Sequence, residues 1–150
     1  MEILKQKILM AHENGDIATL FTLEDEVEEK LDEKLQSAYY KNILDLAMEK
    51  LTDAMEKERK MTLDNVQDVA TIRALYEYAL EHYSAGQLND SVALFEILAG
   101  LCEDGNFSSS LQIHHKCVEA RMDFNDFISD VADLEATQKS GTFYISEFKA

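Results

Sequence analysis

Residues 75–101, LYEYALEHYSAGQLNDSVALFEILAGL, decide how this chain is expected to fold. Apolar and aromatic residues recur in this stretch at steps of three and four, the period of an amphipathic helix, on both sides of Gly86. Gly86 lies where a helix end favours a residue that tolerates positive φ, and Asn89 or Asp90 can cap the helix that follows. The pattern predicts two antiparallel helices joined by a short turn, with Phe95 buried between them.

The order of residues in this hairpin resembles the first tetratricopeptide repeat of the chaperones that serve type III secretion translocators. The matching positions are Leu75, Tyr76, Ala79, Tyr83, Gly86 and Phe95. Residues 62–66 are similar to the segment that leads into that repeat in the same family. The resemblance covers residues 62–101 well and residues 107–136 weakly, and residues 1–61 do not match it. It implies a helical-repeat fold, a role in virulence, and a groove that holds an extended segment of a secreted protein.

The composition favours an all-α fold. The chain has 150 residues, no proline and only 5 glycines, so little in it interrupts helices, and its length suits one domain with a buried core. Hydrophobic residues make up 46% of the chain, which argues against overall disorder. Together with the resemblance, which implies hairpins of the tetratricopeptide type, this composition predicts such hairpins with an N-terminal helical extension.

The charge limits the kinds of partner. A net charge of −16, from 30 acidic and 14 basic residues, repels nucleic-acid phosphates and disfavours anionic membrane surfaces. It suits either simple solvation or a protein partner with basic and hydrophobic segments. The first residues lack the apolar core of a signal peptide, and no apolar run reaches transmembrane length. These features predict a cytoplasmic protein whose two cysteines are reduced and whose partner is another protein.

Residues 1–61 are predicted to form helices that precede the repeat. Residues 14–16 separate two short helices, and residues 24–33 carry seven acidic side chains, either as a solvated face or as a lure for a basic partner. Residues 27–61 keep an apolar stripe at helical steps, which predicts one long helix or two helices joined near residues 36–37. Such a stripe is typical of a core, and the alternative is a homodimer seam.

The remaining boundaries follow from capping residues. Thr62 is the predicted N-cap of the first repeat helix, over residues 67–85, and the second repeat helix covers residues 90–102. Residues 103–106 read as a turn, and residues 108–110 offer caps for a further helix. The apolar side of that helix is predicted to carry Leu111, His115, Val118 and Met122.

The end of the sequence is harder to assign. Residues 137–141 read as a loop, and the aromatic and β-branched residues of 142–148 suit either a short capping helix or an extended tail. The expected single domain, residues 1–150, thus consists of N-terminal helices (1–61), tetratricopeptide-like hairpins (62–136), and a C-terminal tail or capping helix (137–150).

Motifs for catalysis or metal binding are weak. The sequence has no glycine-rich phosphate loop, no HExxH and no nucleophile elbow. In His114-His115-x-Cys117, only His114 and Cys117 share a helix face, and two ligands are too few for a structural zinc site. We expect one of the two histidines to be exposed and the other packed. We expect no enzymatic activity, no metal and no cofactor.

The predicted functional surface is the inner face of the first repeat helix. With Gly86 at the turn, Arg73, Tyr76, Leu80 and Tyr83 lie on that face, and the family resemblance implies that they line a partner-binding groove. Tyrosine suits binding because it offers a large apolar face and one polar tip. The alternative is that the N-terminal helices cover the tyrosines, which would make them core.

The resemblance implies one function and the apolar stripe suggests another, with a small metal-dependent enzyme that uses Glu and His as a distant third. The first is a cytoplasmic chaperone or adaptor that binds and protects an apolar segment of a secreted, translocator-like partner. The second is a structural or regulatory helical protein that forms a homodimer through the stripe at residues 27–61.

Overall fold

A computed structural model describes residues 2–150 of the chain. These residues form nine α-helices and one π-helical turn, with no β-strand, which confirms the all-α fold. None of the described helices combines the length and apolarity needed to cross a bilayer. The elements are α1 (Glu2–Glu13), α2 (Ile17–Thr22), α3 (Glu24–Lys30), α4 (Glu33–Glu56), α5 (Val66–Ser84), α6 (Leu88–Leu101), α7 (Gly105–Glu119), α8 (Phe124–Asp126), the π turn (Phe127–Val131) and α9 (Leu134–Ser140).

The chain divides into two compact units. Unit 1 consists of Met1–Arg59 and Asp64–Ala74, and unit 2 consists of Lys60–Leu63 and Leu75–Ala150. Each unit therefore takes part of α5, and the units do not coincide with the segments that the sequence suggests. The single domain over the whole chain stays a prediction.

The first turn of unit 1 follows the expected local chemistry. Gly15 ends α1 with a φ of 64°, a left-handed conformation that glycine adopts without a steric penalty. Asp16 then caps α2 by accepting a hydrogen bond from the backbone N–H of Thr19 at 3.0 Å. Gln67 also donates to the Asp16 carboxylate, at 2.6 Å. Together with the Thr19 hydroxyl, this bond holds the pKa of Asp16 below its usual value.

The apolar stripe of residues 27–61 is broken earlier than predicted. The joint lies at Leu31 and Asp32, not near residues 36–37. Asp32 caps α4 by accepting from the Leu35 N–H at 2.9 Å. The Gln36 side chain donates to the Leu31 carbonyl at 2.8 Å, which satisfies a group that the end of α3 leaves free.

Most of this stripe is core. Leu35, Met48 and Met55 keep 38–53% of their surface exposed. The stripe residues buried in unit 1 are Val27, Leu31, Tyr39, Ile43, Ala47, Leu51 and Ala54. These side chains pack inside unit 1 through the same helix face that a homodimer seam would need.

The predicted helical hairpin is present in unit 2, formed by residues 75–84 of α5 together with α6. Gly86 has a φ of 81°, and the Gln87 N–H donates to the His82 carbonyl at 2.9 Å, which closes the turn. Phe95 is fully buried, and the Ser91 hydroxyl donates to the Ala79 carbonyl at 3.0 Å across the hairpin. The positive φ at Gly86 and the burial of Phe95 are thereby confirmed.

The caps predicted for α5 and α6 are wrong. Helix α5 is capped by Asn65, which accepts from two backbone N–H groups at 2.9 and 3.0 Å, rather than by Thr62. Helix α6 begins at Leu88 without a side-chain cap, so Asn89 and Asp90 lie inside it.

The later boundaries also differ from the sequence expectations. Asp104 caps α7 by accepting from the Phe107 N–H at 2.9 Å, so residues 108–110 lie inside that helix. Most of residues 137–141, predicted as a loop, belongs to α9, which ends at Gly141 with a φ of 72°. On α7 the buried face carries His114 rather than His115, because the inward stripe runs at helical steps through Phe107, Leu111 and Val118. Met122, predicted on the same face, lies beyond the end of α7 at Glu119.

Replacing Gly86 with valine should destabilise the protein by about 2 kcal/mol, because a residue with a Cβ is strained in the left-handed region and β-branching adds to the strain. No atom lies within 4 Å of a Cβ built at this position, so the cost comes from the backbone alone. Urea unfolding would measure it. Gly100→Val is a control inside α6, where the added side chain also meets open space. A Gly86→Val protein as stable as its parent would contradict the turn.

Candidate functional site

Tyr76 lies at the centre of an aromatic cluster in unit 2. Only 1% of its surface is exposed. Its ring centroid lies 5.4 Å from that of His114 and 6.3 Å from those of Phe107 and Tyr144. These edge-on contacts join α5, α7 and the end of the chain, and such aromatic pairs stabilise a core beyond the area they bury.

A chain of hydrogen bonds runs through this cluster. The Nδ1–H of His114 donates to the Ser110 carbonyl at 2.7 Å, since a carbonyl can only accept. The neutral ring therefore leaves Nε2 as an acceptor for the Tyr76 hydroxyl, 2.8 Å away. The oxygen of that hydroxyl accepts in turn from the backbone N–H of Ile145 at 2.9 Å. Each polar group in this series of hydrogen bonds has its partner inside the protein, as surroundings of low polarity require.

Residues 142–149, which we call segment 142–149, form no helix and lie against these helices. The segment bends at Phe143 and Tyr144 and pairs with other main chain from Glu147 to Lys149. The Thr137 hydroxyl of α9 accepts from the backbone N–H groups of Ser146 and Glu147 at 3.3 and 3.1 Å. Main-chain bonds of 2.9 and 2.8 Å pair the segment with Asp133 and Val131. The extended tail is therefore the form adopted, rather than the capping helix.

We call the surface beneath this segment the inner groove. Its walls are Tyr76, Phe107, His114 and Thr137. Within the segment, Tyr144 and Ile145 are buried, whereas Phe143 and Phe148 are half-buried and Glu147 and Lys149 are exposed. A cleft of about 480 Å³ opens beside it, with Ser109 and Ile113 of α7 on one side and Thr142 and Ser146 on the other.

Burial governs the protonation of His114. The side chain has no exposed surface, and burial lowers the pKa of His114 to about 4, although the bond to Ser110 opposes the shift. The ring is therefore neutral at pH 7, as the hydrogen-bond chain requires. His115 is half-buried and lies 3.5 Å from the Glu119 carboxylate. One histidine is therefore packed, as expected, but the other is not fully exposed.

The stability of unit 2 should fall as the pH drops from about 6.5 to 4. The pKa of His114 is depressed in the folded state, so the unfolded chain binds more protons in that window, and folding loses about 3 kcal/mol across it. Urea midpoints measured between pH 4.5 and 7 would test this. His114→Gln should flatten the slope, whereas His115→Gln should retain it. Equal slopes for the parent and His114→Gln would contradict the buried neutral ring.

The predicted partner-binding residues do not lie on one open surface. Tyr76 and Tyr83 are buried in unit 2, and Leu80 is half-buried. The Tyr83 hydroxyl donates to the Met122 carbonyl at 2.8 Å, and its ring lies 5.2 Å from that of Phe124. The two tyrosines are core, but their neighbours come from α7 and residues 122–145 of unit 2. The alternative drawn from the sequence had the N-terminal helices cover them.

Arg73 belongs to unit 1. Its guanidinium lies 3.0 Å from the Glu24 carboxylate and 3.9 Å from the centre of the Phe21 ring. Tyr40 also donates to Glu24, at 2.9 Å, so part of the acidic stretch at 24–33 serves internal contacts. Binding of a partner by Arg73, Tyr76, Leu80 and Tyr83 stays a prediction.

Sequence reasoning missed two parts of this arrangement. In the sequence, His114 stands out only as part of a weak metal-binding pattern. Among residues 2–150, no three or more His, Cys, Asp or Glu side chains are grouped to hold a metal. The role of His114 as a buried acceptor depends on Tyr76, which lies 38 positions away. The only signal for segment 142–149 was its aromatic and β-branched composition.

The inner groove has a defined chemical capacity. Tyr76 and Thr137 accept hydrogen bonds from the main chain of an extended segment, while Phe107 and His114 supply apolar surface for its side chains. Such a surface binds an extended peptide largely through groups that every peptide possesses. Comparison of the chain with protein-family models, with curated proteins and with solved structures finds no match.

Proposed function

We propose that this protein is a cytoplasmic chaperone or adaptor that binds and protects an apolar segment of a secreted partner, as chaperones of type III secretion translocators do. The observation that carries the proposal is the inner groove of unit 2, which already holds an extended segment. The resemblance of residues 62–101 to the first repeat of those chaperones points the same way.

The contacts in the groove suit this task. Three consecutive backbone N–H groups, those of Ile145, Ser146 and Glu147, are bound by two side-chain oxygens. Main-chain recognition of this kind supplies affinity, while pockets for alternate side chains supply selectivity. A chaperone that prevents aggregation needs both, because an apolar partner segment exposes its main chain as well as its side chains.

The charge of the chain supports the same proposal. A net charge of −16 keeps the protein soluble while it holds an apolar segment, and it attracts partners with basic flanks. The homodimer through residues 27–61 has less support. Most apolar residues of that stripe are buried inside unit 1, and its exposed residues, among them Leu35, Ala38 and Met55, do not form a continuous apolar seam.

Co-expression tests the proposal. The chain would be produced together with a candidate translocator encoded by a neighbouring gene, and complexes would be measured by size-exclusion chromatography with light scattering. We expect a stoichiometric complex and a several-fold rise in soluble translocator. A secreted globular protein without a long apolar segment serves as the control. Separate elution of the two proteins, with translocator solubility unchanged, would overturn the proposal.

A further inference from the structure

We propose that segment 142–149 is a built-in occupant of the inner groove, which an extended partner segment of similar pattern displaces. That pattern is two aromatic residues and one aliphatic residue, then two polar residues and a third aromatic residue, as in residues 143–148. The inference rests on the proposed function, because it specifies which kind of segment the chaperone would hold.

The segment makes the contacts of a bound peptide rather than those of a core element. Its backbone is held by Tyr76, Thr137 and the main chain on either side of Ala132. Only Tyr144 and Ile145 are buried, and the segment contains no helix. Elements held by few buried side chains open before the core does.

The groups that hold the segment would serve an incoming chain equally well. The hydroxyls of Tyr76 and Thr137 accept from main-chain N–H groups, which every non-proline residue carries. The Asp133 N–H and the Val131 carbonyl form main-chain bonds that do not depend on the partner's side chains. Departure of the segment without a replacement would leave these groups unpaired beside apolar rings, so exchange for another segment is favoured over an empty groove.

The aromatic walls define which side chains fit. The Tyr144 ring lies 4.8 Å from Phe107, and Phe143 lies 5.6 Å from the same ring. Phe148 lies edge-on to His114, with ring centres 5.9 Å apart. Ile145 is buried, while Glu147 points a carboxylate at the exposed Ser140 hydroxyl, 3.0 Å away. Aromatic and aliphatic positions are therefore selected, and the intervening polar positions are tolerated.

The cleft beside the segment gives an incoming chain a place to start. It lies between α7 and the segment, and its volume of about 480 Å³ is enough for several side chains. Its lining is rich in hydroxyl groups, from Ser109, Ser110, Ser140, Thr142 and Ser146. The hydroxyls of Ser140, Thr142 and Ser146 already bond within the chain, so a partner main chain would first meet the exposed Ser109 hydroxyl. Hydroxyls both donate and accept, so the other bonds can then exchange one by one.

Hydrogen exchange on the parent protein is the first test. If the segment opens independently, the amides of Ile145, Ser146 and Glu147 should exchange on the order of a hundredfold faster than the central amides of α7. Their exchange should also stay insensitive to low urea concentrations, because local opening exposes little surface. Protection equal to that of α7 would mean that the segment leaves only on global unfolding, and the proposal would be overturned.

A peptide in trans is the second test. A fluorescein-labelled peptide GTFYISEFKA, identical to residues 141–150, would be titrated into the parent and into Tyr144→Ala/Ile145→Ala. The resident segment competes at an effective concentration of about a millimolar, so weakening it should tighten peptide binding about tenfold or more. Leu9→Ala/Met10→Ala makes the same number of truncations at an exposed pair in unit 1 and should bind like the parent. Equal affinity in all three proteins, or no binding to any, would contradict displacement.

The controls separate this inference from the proposed function. A peptide with its tyrosine and isoleucine replaced by alanine should lose binding. If the parent instead forms dimers that the peptide dissociates, the occupant is a second copy, and the partner assignment is overturned. Peptide binding without a translocator complex would overturn the proposed function alone. A translocator complex with a fully protected segment and no peptide binding would overturn the inference alone.

Discussion

Replacement of Tyr76 with alanine should lower the free energy of unfolding of the free protein by about 5 kcal/mol, the upper end of the range for a large buried side chain. The ring is 1% exposed and lies against Phe107 and His114, so its removal leaves a cavity. It also removes the partner of His114 Nε2 and of the Ile145 N–H. Unfolding in urea, together with exchange of the α7 amides, would measure the loss in unit 2.

The hydroxyl of Tyr76 can be tested apart from its ring. Tyr76→Phe keeps the packing and leaves two buried groups without a partner, which should cost about 2 kcal/mol. The control is Tyr78→Phe, at a half-buried position on the same helix, which should stay within about 0.5 kcal/mol of the parent. If Tyr76→Ala kept the parental stability and lost only partner affinity, Tyr76 would belong to an open binding surface instead of the core.

Phe95→Ala should lower the free energy of unfolding by about 3–5 kcal/mol. Phe95 has no exposed surface, and its ring lies 5.1 Å from that of His114 and 6.2 Å from that of Tyr76. The hairpin is too closely packed at this point for neighbouring side chains to fill the space. Urea unfolding followed by circular dichroism gives the value.

The control for Phe95 lies in the same unit. Leu134→Ala removes an apolar side chain that is 47% exposed, so it should cost under about 1 kcal/mol. If Phe95→Ala also lowered the free energy of unfolding by under about 1 kcal/mol, α6 would not pack against α5 through this residue. The helical hairpin would then be misassigned.

The fold class and the hairpin could be predicted because their signals are local. The three- and four-residue steps around Gly86 reflect the period of the helix itself, and the left-handed turn favours a residue without a Cβ. Capping residues were less certain, because several suitable side chains occur within a few positions of each helix start. Asn65 rather than Thr62 caps α5, and Asp104 rather than residues 108–110 caps α7.

The candidate site depended on contacts between distant parts of the chain. The hairpin register predicts that Tyr76 and Tyr83 lie on the inner face of α5. It does not predict which residues cover them. Ile145, whose backbone binds the Tyr76 hydroxyl, lies 69 positions later in the sequence. An extended segment with few buried residues leaves no periodic pattern by which its docking place could be read.

The sequence by itself determined that the chain is helical, that a hairpin turns at Gly86 and that Phe95 is buried, because backbone sterics and helical periodicity act over a few residues. The tertiary structure alone decided that Tyr76 and His114 share one hydrogen-bond chain and that segment 142–149 fills the inner groove. These outcomes depend on which apolar faces meet, and a buried polar group takes whichever partner the packing brings within about 3 Å.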